Sequence, residues 1–164
     1  MKNNKAEKFS EMIEQFEGAL WRVVLVYERQ PDLQEELFQE VLLAVWKSLD
    51  QFKGLSSDKT YLFRVAHNTA FAHIARQSRQ IKDGEQGFRE ECEKANPEKI
   101  TENEQRNDAF ARAMFRLPVS QRHLISLSME GLSYAEVGEI VGMSANHVGV
   151  ELSRAKKRLR DLLI

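Results

Sequence analysis

Apolar residues recur along most of this chain at three- and four-residue steps, the spacing that lines one face of an α-helix. Met12, Ile13, Phe16, Leu20, Val23, Val24 and Tyr27 make the first stripe and predict a helix over residues 9–27. Pro31 interrupts it. Asp32 and Glu35 then read as a capping pair that opens a second helix, with Leu33, Leu37, Val41, Leu42, Ala44 and Trp46 along it. Residues 51–58 hold Gly54, Ser56 and Ser57 and read as a loop. A third helix is expected over 59–79, with Leu62, Val65, Ala66, Thr69 and Ile74.

Over 80–107 the periodicity fails. Acidic residues there (Asp83, Glu85, Glu90, Glu91, Glu93, Glu98, Glu102, Glu104) outnumber basic ones (Lys82, Arg89, Lys94, Lys99, Arg106), with Gly84, Gly87 and Pro97 among them. This composition predicts a solvated acidic linker. Helical spacing resumes over 109–117, 119–130, 133–141 and 145–163, with breaks at Pro118 and Gly131. The expected fold is all-α: two small helical domains joined by a flexible acidic linker. The N-terminal domain takes residues 1–80, the linker 81–106, and a helix-turn-helix domain 107–164.

The sharpest local signal lies at 131–148. Ser133 and Glu136 have capping-box spacing, Gly142 falls where a tight interhelical turn needs a residue without a Cβ, and Ser144 can cap the next helix. In that helix Val148, Leu152, Ala155 and Leu159 make one apolar face that can pack on Val137, Ile140 and Val141. The opposite face presents Asn146, His147, Val150, Glu151, Arg154, Lys157 and Arg158. A recognition helix is built this way: its N-terminal residues meet base edges and its basic end meets phosphates. The plain alternative is a helical hairpin with a solvated charged face.

Composition narrows the function classes. The 164 residues are 42% hydrophobic, which suits one medium or two small domains, and 30% charged, near the globular norm. The formal net charge is -1, so any argument for nucleic acid rests on local distribution and not on overall charge. The single cysteine, Cys92, excludes an internal disulfide and a cysteine-based zinc site, and fits a reducing cytoplasm. Apolar runs such as 23–27 are far too short to span a bilayer, and no apolar stretch follows the N-terminal charges as in a signal peptide. A cytoplasmic protein without membrane insertion is expected. There is no phosphate-binding glycine loop and no nucleophile elbow. His67, His73, His123 and His147 are scattered, and the six-residue step from His67 to His73 puts them on different helix faces. No catalytic residue, metal or cofactor is expected.

Four segments, taken in order, resemble the extracytoplasmic-function sigma factors of bacterial RNA polymerase. Glu35-Glu36-Leu37-Phe38-Gln39-Glu40-Val41 is similar to the family's acidic clamp-binding helix. Tyr61-Leu62-Phe63-Arg64-Val65-Ala66-His67-Asn68 is similar to its aromatic-Leu-x-Arg-Ile-Ala-x-Asn signature. Arg116-Leu117-Pro118 with Gln121-Arg122 resembles the opening of its C-terminal domain, and the helix-turn-helix is the fourth. The resemblance implies core RNA polymerase and promoter DNA as partners, with the clamp coiled coil meeting Glu36, Leu37, Gln39 and Glu40. An anti-sigma factor is a common further partner in that family. The resemblance places the melted proximal element on Tyr61, Arg64, Asn68 and Phe71, and the distal element on Ser144, Asn146, His147, Val150, Arg154, Lys157 and Arg158. The residues fit the first of these tasks, since aromatic rings stack on unpaired bases, Arg takes phosphate and Asn reads a base edge. Phe63 and Trp46 are expected in the core.

The chain also departs from the family pattern. Tyr61 stands for the usual Trp and Ala72 for a common Asp, while Gly149, Val150 and Glu151 stand where Lys, Ser and Arg are common. Two rival readings are a stand-alone helix-turn-helix regulator that acts without polymerase and a helical bundle that binds only protein.

Overall fold

The computed structural model describes residues 2–83 and 102–164. Seven helices account for most of them: α1 (Lys2–Tyr27), α2 (Pro31–Ser48), α3 (Asp58–Asp83), α4 (Glu102–Arg116), α5 (Val119–Met129), α6 (Tyr134–Val141) and α7 (Ala145–Leu163), with one 3-10 turn at Leu49–Gln51. Most of the predicted linker, including Cys92, lies outside the described residues.

The first three helices pack on one another. Leu20, Val23 and Val24 of α1 meet Leu37, Val41 and Val45 of α2 and Leu62, Phe63 and Ala66 of α3, all at most 2% exposed. Each Leu or Phe buried this way contributes about 1.5–3 kcal/mol of transfer free energy. In the second half α7 packs against α4, α5 and α6. Val148, Leu152, Ala155 and Leu159 form its buried stripe, as their spacing predicts.

Local details differ from the sequence expectation in several places. α3 runs on to Asp83 and α4 starts at Glu102, both inside the stretch expected as linker. α1 starts at Lys2, seven residues early, because its polar first turns are held by contacts that hydrophobic periodicity cannot register: Lys5 Nζ reaches Asp50 Oδ2 at 2.8 Å and Lys8 Nζ reaches Asp58 Oδ2 at 3.3 Å. Trp46 is not a core residue. It is 37% exposed, with Phe9 edge-on to its ring at 5.3 Å and the Lys5 ammonium 4.4 Å above it. Asp32 does not cap α2; Gln30 is the N-cap, without a side-chain bond, and Pro31 takes the first helical position.

The work of a cap falls instead to Glu28, which is only 7% exposed. Its Oε1 accepts from the backbone N–H of Arg29 at 3.0 Å and of Gln30 at 3.2 Å. Its Oε2 meets His73 Nε2 at 3.1 Å and accepts from Gln77 Nε2 at 3.1 Å. One carboxylate thus joins the α1–α2 connection to α3.

The two halves dock on each other, α1 against α5 and α3 against α6. Arg22 Nη2 donates to Glu130 Oε2 at 2.9 Å while its Nε bonds the other carboxylate oxygen. Lys59 Nζ donates to the Glu130 carbonyl at 2.6 Å. Arg64 Nη2 lies 3.8 Å from Glu139 Oε2. At the centre, His67 and His123 stack and Tyr27 Oη lies 2.9 Å from His67 Nδ1.

Candidate nucleic-acid interface

The helix-turn-helix forms as its local sequence dictates. Ser133 Oγ accepts from the Glu136 N–H at 3.1 Å, and Glu136 Oε1 accepts from the Ser133 N–H at 3.1 Å, which completes the capping box. These bonds from Ser133 hold the Glu136 carboxyl below the ordinary carboxylate range. Gly142 takes φ +77°, the left-handed conformation that ends α6. Gly138 has a second job that the sequence did not advertise: a Cβ there would sit 2.3 Å from the Met143 carbonyl oxygen. The turn closes only because position 138 carries no side chain. Ser144 Oγ then accepts from the His147 N–H at 3.2 Å and caps α7.

α7 turns one face to solvent. Asn146, His147, Val150, Arg154, Lys157 and Arg158 are all exposed, and Ser144 stands at their N-terminal end. Glu151 sits among them. Its Oε1 accepts from Arg154 Nη1 at 2.9 Å and lies 3.9 Å from His147 Nε2. Arg158 Nη1 donates to Gln121 at 3.4 Å. The seven residues therefore share one surface, but its central basic residue is held by an acidic neighbour.

On α3 the four candidate residues are not equivalent. Phe71 is 46% exposed and Asn68 is exposed. Arg64 is half-buried, with its Nε enclosed and unpartnered among the described residues, and its tip faces Glu139. Tyr61 is 9% exposed, its ring stacked on Phe52 at 4.2 Å and its hydroxyl bonded to Ser48. Tyr61 is thus a core residue in this structure, and only a rearrangement of the 52–61 segment would offer its ring to a base.

On α2, Glu36 and Gln39 are exposed. Glu40 is half-buried and accepts from Arg76 Nη2 at 2.7 Å. Leu37 is 0% exposed and offers no surface to a partner. Its place in the motif reflects the core beneath the contact face, since Leu37 packs inward with Phe38 and Val41.

Two family patterns match this chain in the order of the structure. The one described as Sigma-70 region 2 covers residues 12–80, and the one described as Sigma-70, region 4 covers residues 107–159. They take in α1–α3 and α4–α7 respectively. ECF RNA polymerase sigma-E factors are among the relatives: that of Escherichia coli is 28% identical over 134 residues, 76% of this chain and 70% of that one. The chain is an extracytoplasmic-function sigma factor.

Such a factor directs promoter recognition and the initiation of transcription. A match of the first half to region 2 does not favour the stand-alone regulator, since that reading gives the α2 helix at residues 36–40 no role. The sigma-E factor of Haemophilus influenzae is 24% identical over 164 residues, 93% of this chain and 86% of that one. The fold is also that of solved structures. The sigma factor RpoE in complex with the anti-sigma factor NepR from Bartonella quintana superposes with a TM-score of 0.80 at 24% identity, over 96% of this chain and 97% of that one. CnrH in complex with the cytosolic domain of CnrY gives 0.69 at 19%, over 96% and 88%. Among the described residues of this sigma factor no helix is long and apolar enough to cross a membrane.

Sequence reasoning missed the residues that join the halves. His123 is 1% exposed with both ring nitrogens unpartnered among the described residues, and Arg122 beside it is 5% exposed, its guanidinium 4.4 Å over the Phe115 ring. Burial lowers the pKa of both. The signal available was slight: an Arg-His pair directly before the apolar Leu124, Ile125 and Leu127.

Proposed function

We propose that the sigma factor divides its work between its halves, acting in the cytoplasm as a binding subunit without catalytic groups of its own. The α2 face at exposed Glu36 and Gln39 and half-buried Glu40 meets a basic surface on the clamp coiled coil of core RNA polymerase. The α3 stripe at Arg64, Asn68 and Phe71, joined by Tyr61 once it leaves Phe52, holds the melted proximal element. α7 reads the distal duplex element through Asn146, His147 and Val150 and grips phosphates through Arg154, Lys157 and Arg158. An anti-sigma factor is proposed as a further partner, because the Bartonella RpoE of the same fold was solved with one.

The observation that carries the reading is the capped, rigid α7 with its six polar, basic and small apolar residues all on the solvent face. Reconstituted transcription with purified core polymerase tests it. Promoter-directed transcripts should appear only when the full chain is added. Asn68→Ala should leave closed-complex binding intact and abolish permanganate reactivity of the melted strand, because edge contacts form only after bases leave the duplex. Sequence-specific duplex binding at full strength without polymerase would overturn the reading.

A further inference from the structure

Near its N-terminal end α7 carries a glycine where a recognition helix would ordinarily place a side chain, and the gap is used. The ring of Tyr134, the first residue of α6, lies over Gly149: a Cβ built there would stand 3.2 Å from Tyr134 Cε2 and 3.5 Å from Cδ2. The ring is not buried by this contact. Tyr134 remains 49% exposed, and Val150 beside it is 50% exposed. Tyr134, Ala145, Gly149 and Val150, together with the polar Asn146, Ser153 and Arg154, line an open concavity of about 580 Å³.

Its position gives it a meaning. Residues 145, 146, 149, 150 and 153 are neighbours on one helical stripe. That stripe is the surface on which Asn146 and Val150 are read as base-edge residues and Arg154 as a phosphate residue. In a helix-turn-helix the first helix ordinarily crosses the DNA backbone, and its side chains stay away from base edges. Here the missing side chain at 149 lets an α6 ring reach the recognition surface. Tyr134, Ala145 and Val150 give the cup a mainly apolar wall, and in the major groove only thymine displays a methyl group, which apolar side chains contact.

We propose that this cup is a subsite for the C5-methyl edge of a thymine in the distal promoter element, with Tyr134 and Gly149 as the residues that set base choice there. The proposal rests on the reading of α7 as the recognition helix. A lysine or arginine at 149 would fill the cup and bring a cation in place of an apolar wall. Gly149 therefore supplies a shape, although it supplies no side-chain contact of its own.

The test uses holoenzyme assembled from core polymerase and the full chain, and a duplex promoter library randomised over the upstream element. Wild type should enrich T·A at one upstream position. Tyr134→Ala and Gly149→Lys should flatten that position and leave the others, while Tyr134→Phe should keep it. On the selected promoter, deoxyuridine in place of that thymidine removes only the methyl group, and should weaken wild-type binding about fourfold, the value of one buried methyl. Tyr134→Ala should not respond to that change. Gly149→Ala separates the effect from misfolding. It raises helix propensity, so the melting temperature should not fall, yet its Cβ displaces the ring and lowers selectivity, with no further effect in the Tyr134→Ala background. An unaltered profile in Tyr134→Ala, or an equal response of wild type and Tyr134→Ala to deoxyuridine, overturns the subsite while leaving α7 as the reader of the element. Absence of any upstream enrichment overturns both.

Discussion

His67 of α3 and His123 of α5 lie ring on ring across the contact between the two halves, 4.2 Å between centroids and 18° between planes. Tyr27 closes the site from α1, its ring 5.1 Å from His123 and its hydroxyl on His67. Phe71 flanks His67 at 4.9 Å, and Arg122, next to His123 in sequence, holds its guanidinium 4.4 Å over Phe115. Two imidazoles stacked in a buried contact are both neutral. Burial lowers the His67 pKa from 6.5 to about 4, and burial with the neighbouring His67 holds His123 well below 6.5.

The pH dependence of docking follows with a definite sign. The undocked histidines bind protons that the docked ones refuse, so the contribution to docking is full above about pH 6.5 and is lost as pH falls from there toward about 4. Small-angle scattering, or energy transfer between labels on the two halves, should report a compact chain at pH 7.5 and an opening one near pH 5. His67→Phe with His123→Phe should flatten the profile. A wild-type chain equally compact at both pH values would refute the stack as the cause.

Glu28 should matter far more to stability than its place in a helix connection suggests. Glu28→Ala leaves four donors without their shared acceptor in a buried site and should destabilise by about 2–4 kcal/mol. Glu28→Gln retains one acceptor oxygen and should lose roughly half as much. Urea denaturation gives both numbers, and a loss below about 0.5 kcal/mol in the Ala variant would show that water replaces the carboxylate.

The α2 motif should split by burial. Leu37→Ala should cost about 2–5 kcal/mol of stability, the range for a fully buried leucine, and weaken polymerase binding only through unfolding. Glu36→Lys with Gln39→Lys should leave the denaturation midpoint unchanged and weaken binding to core polymerase. Equal core affinity of that double variant and wild type would remove the clamp assignment.

On α7, Glu151 engages Arg154, the residue proposed to grip a phosphate, and would compete with DNA for it. Glu151→Gln removes a negative charge from the phosphate-facing surface and frees Arg154 from its 2.9 Å bond, so duplex affinity should rise. Arg158→Ala should lower the salt slope of binding by about one unit if Arg158 pairs with one phosphate. Arg154→Ala should show a smaller affinity loss in wild type than in the Glu151→Gln background. Titrations at several salt concentrations separate these outcomes.

What the sequence disclosed follows the range of the interactions involved. The helix-turn-helix was legible because Ser133, Glu136, Gly142 and Ser144 act on backbone groups within a few residues of themselves. The buried stripes were legible because a helix repeats every 3.6 residues. The burial of Tyr61 and Leu37 was not legible in the motifs that contain them, because a motif records residue types and not which way each one faces. His67, His123 and Glu28 act through partners far away in the chain, and no local pattern marks such a pairing. In the sequence Gly149 stood out only as a departure from the family's Lys, because the ring of Tyr134 that lies over it belongs to another helix.

Glu139 stands 3.8 Å from Arg64, the place a nucleic-acid phosphate would take. Because both residues belong to one chain, this carboxylate competes at an effective concentration that dilution cannot lower. A ligand that needs Arg64 free binds only the fraction in which this pair is open, and its apparent affinity falls by that fraction: if about one molecule in a hundred is open, binding weakens about a hundredfold. Glu139→Lys would then act at a distance from the DNA-reading face of α7, strengthening the grip of α3 on single-stranded DNA without adding a contact to it.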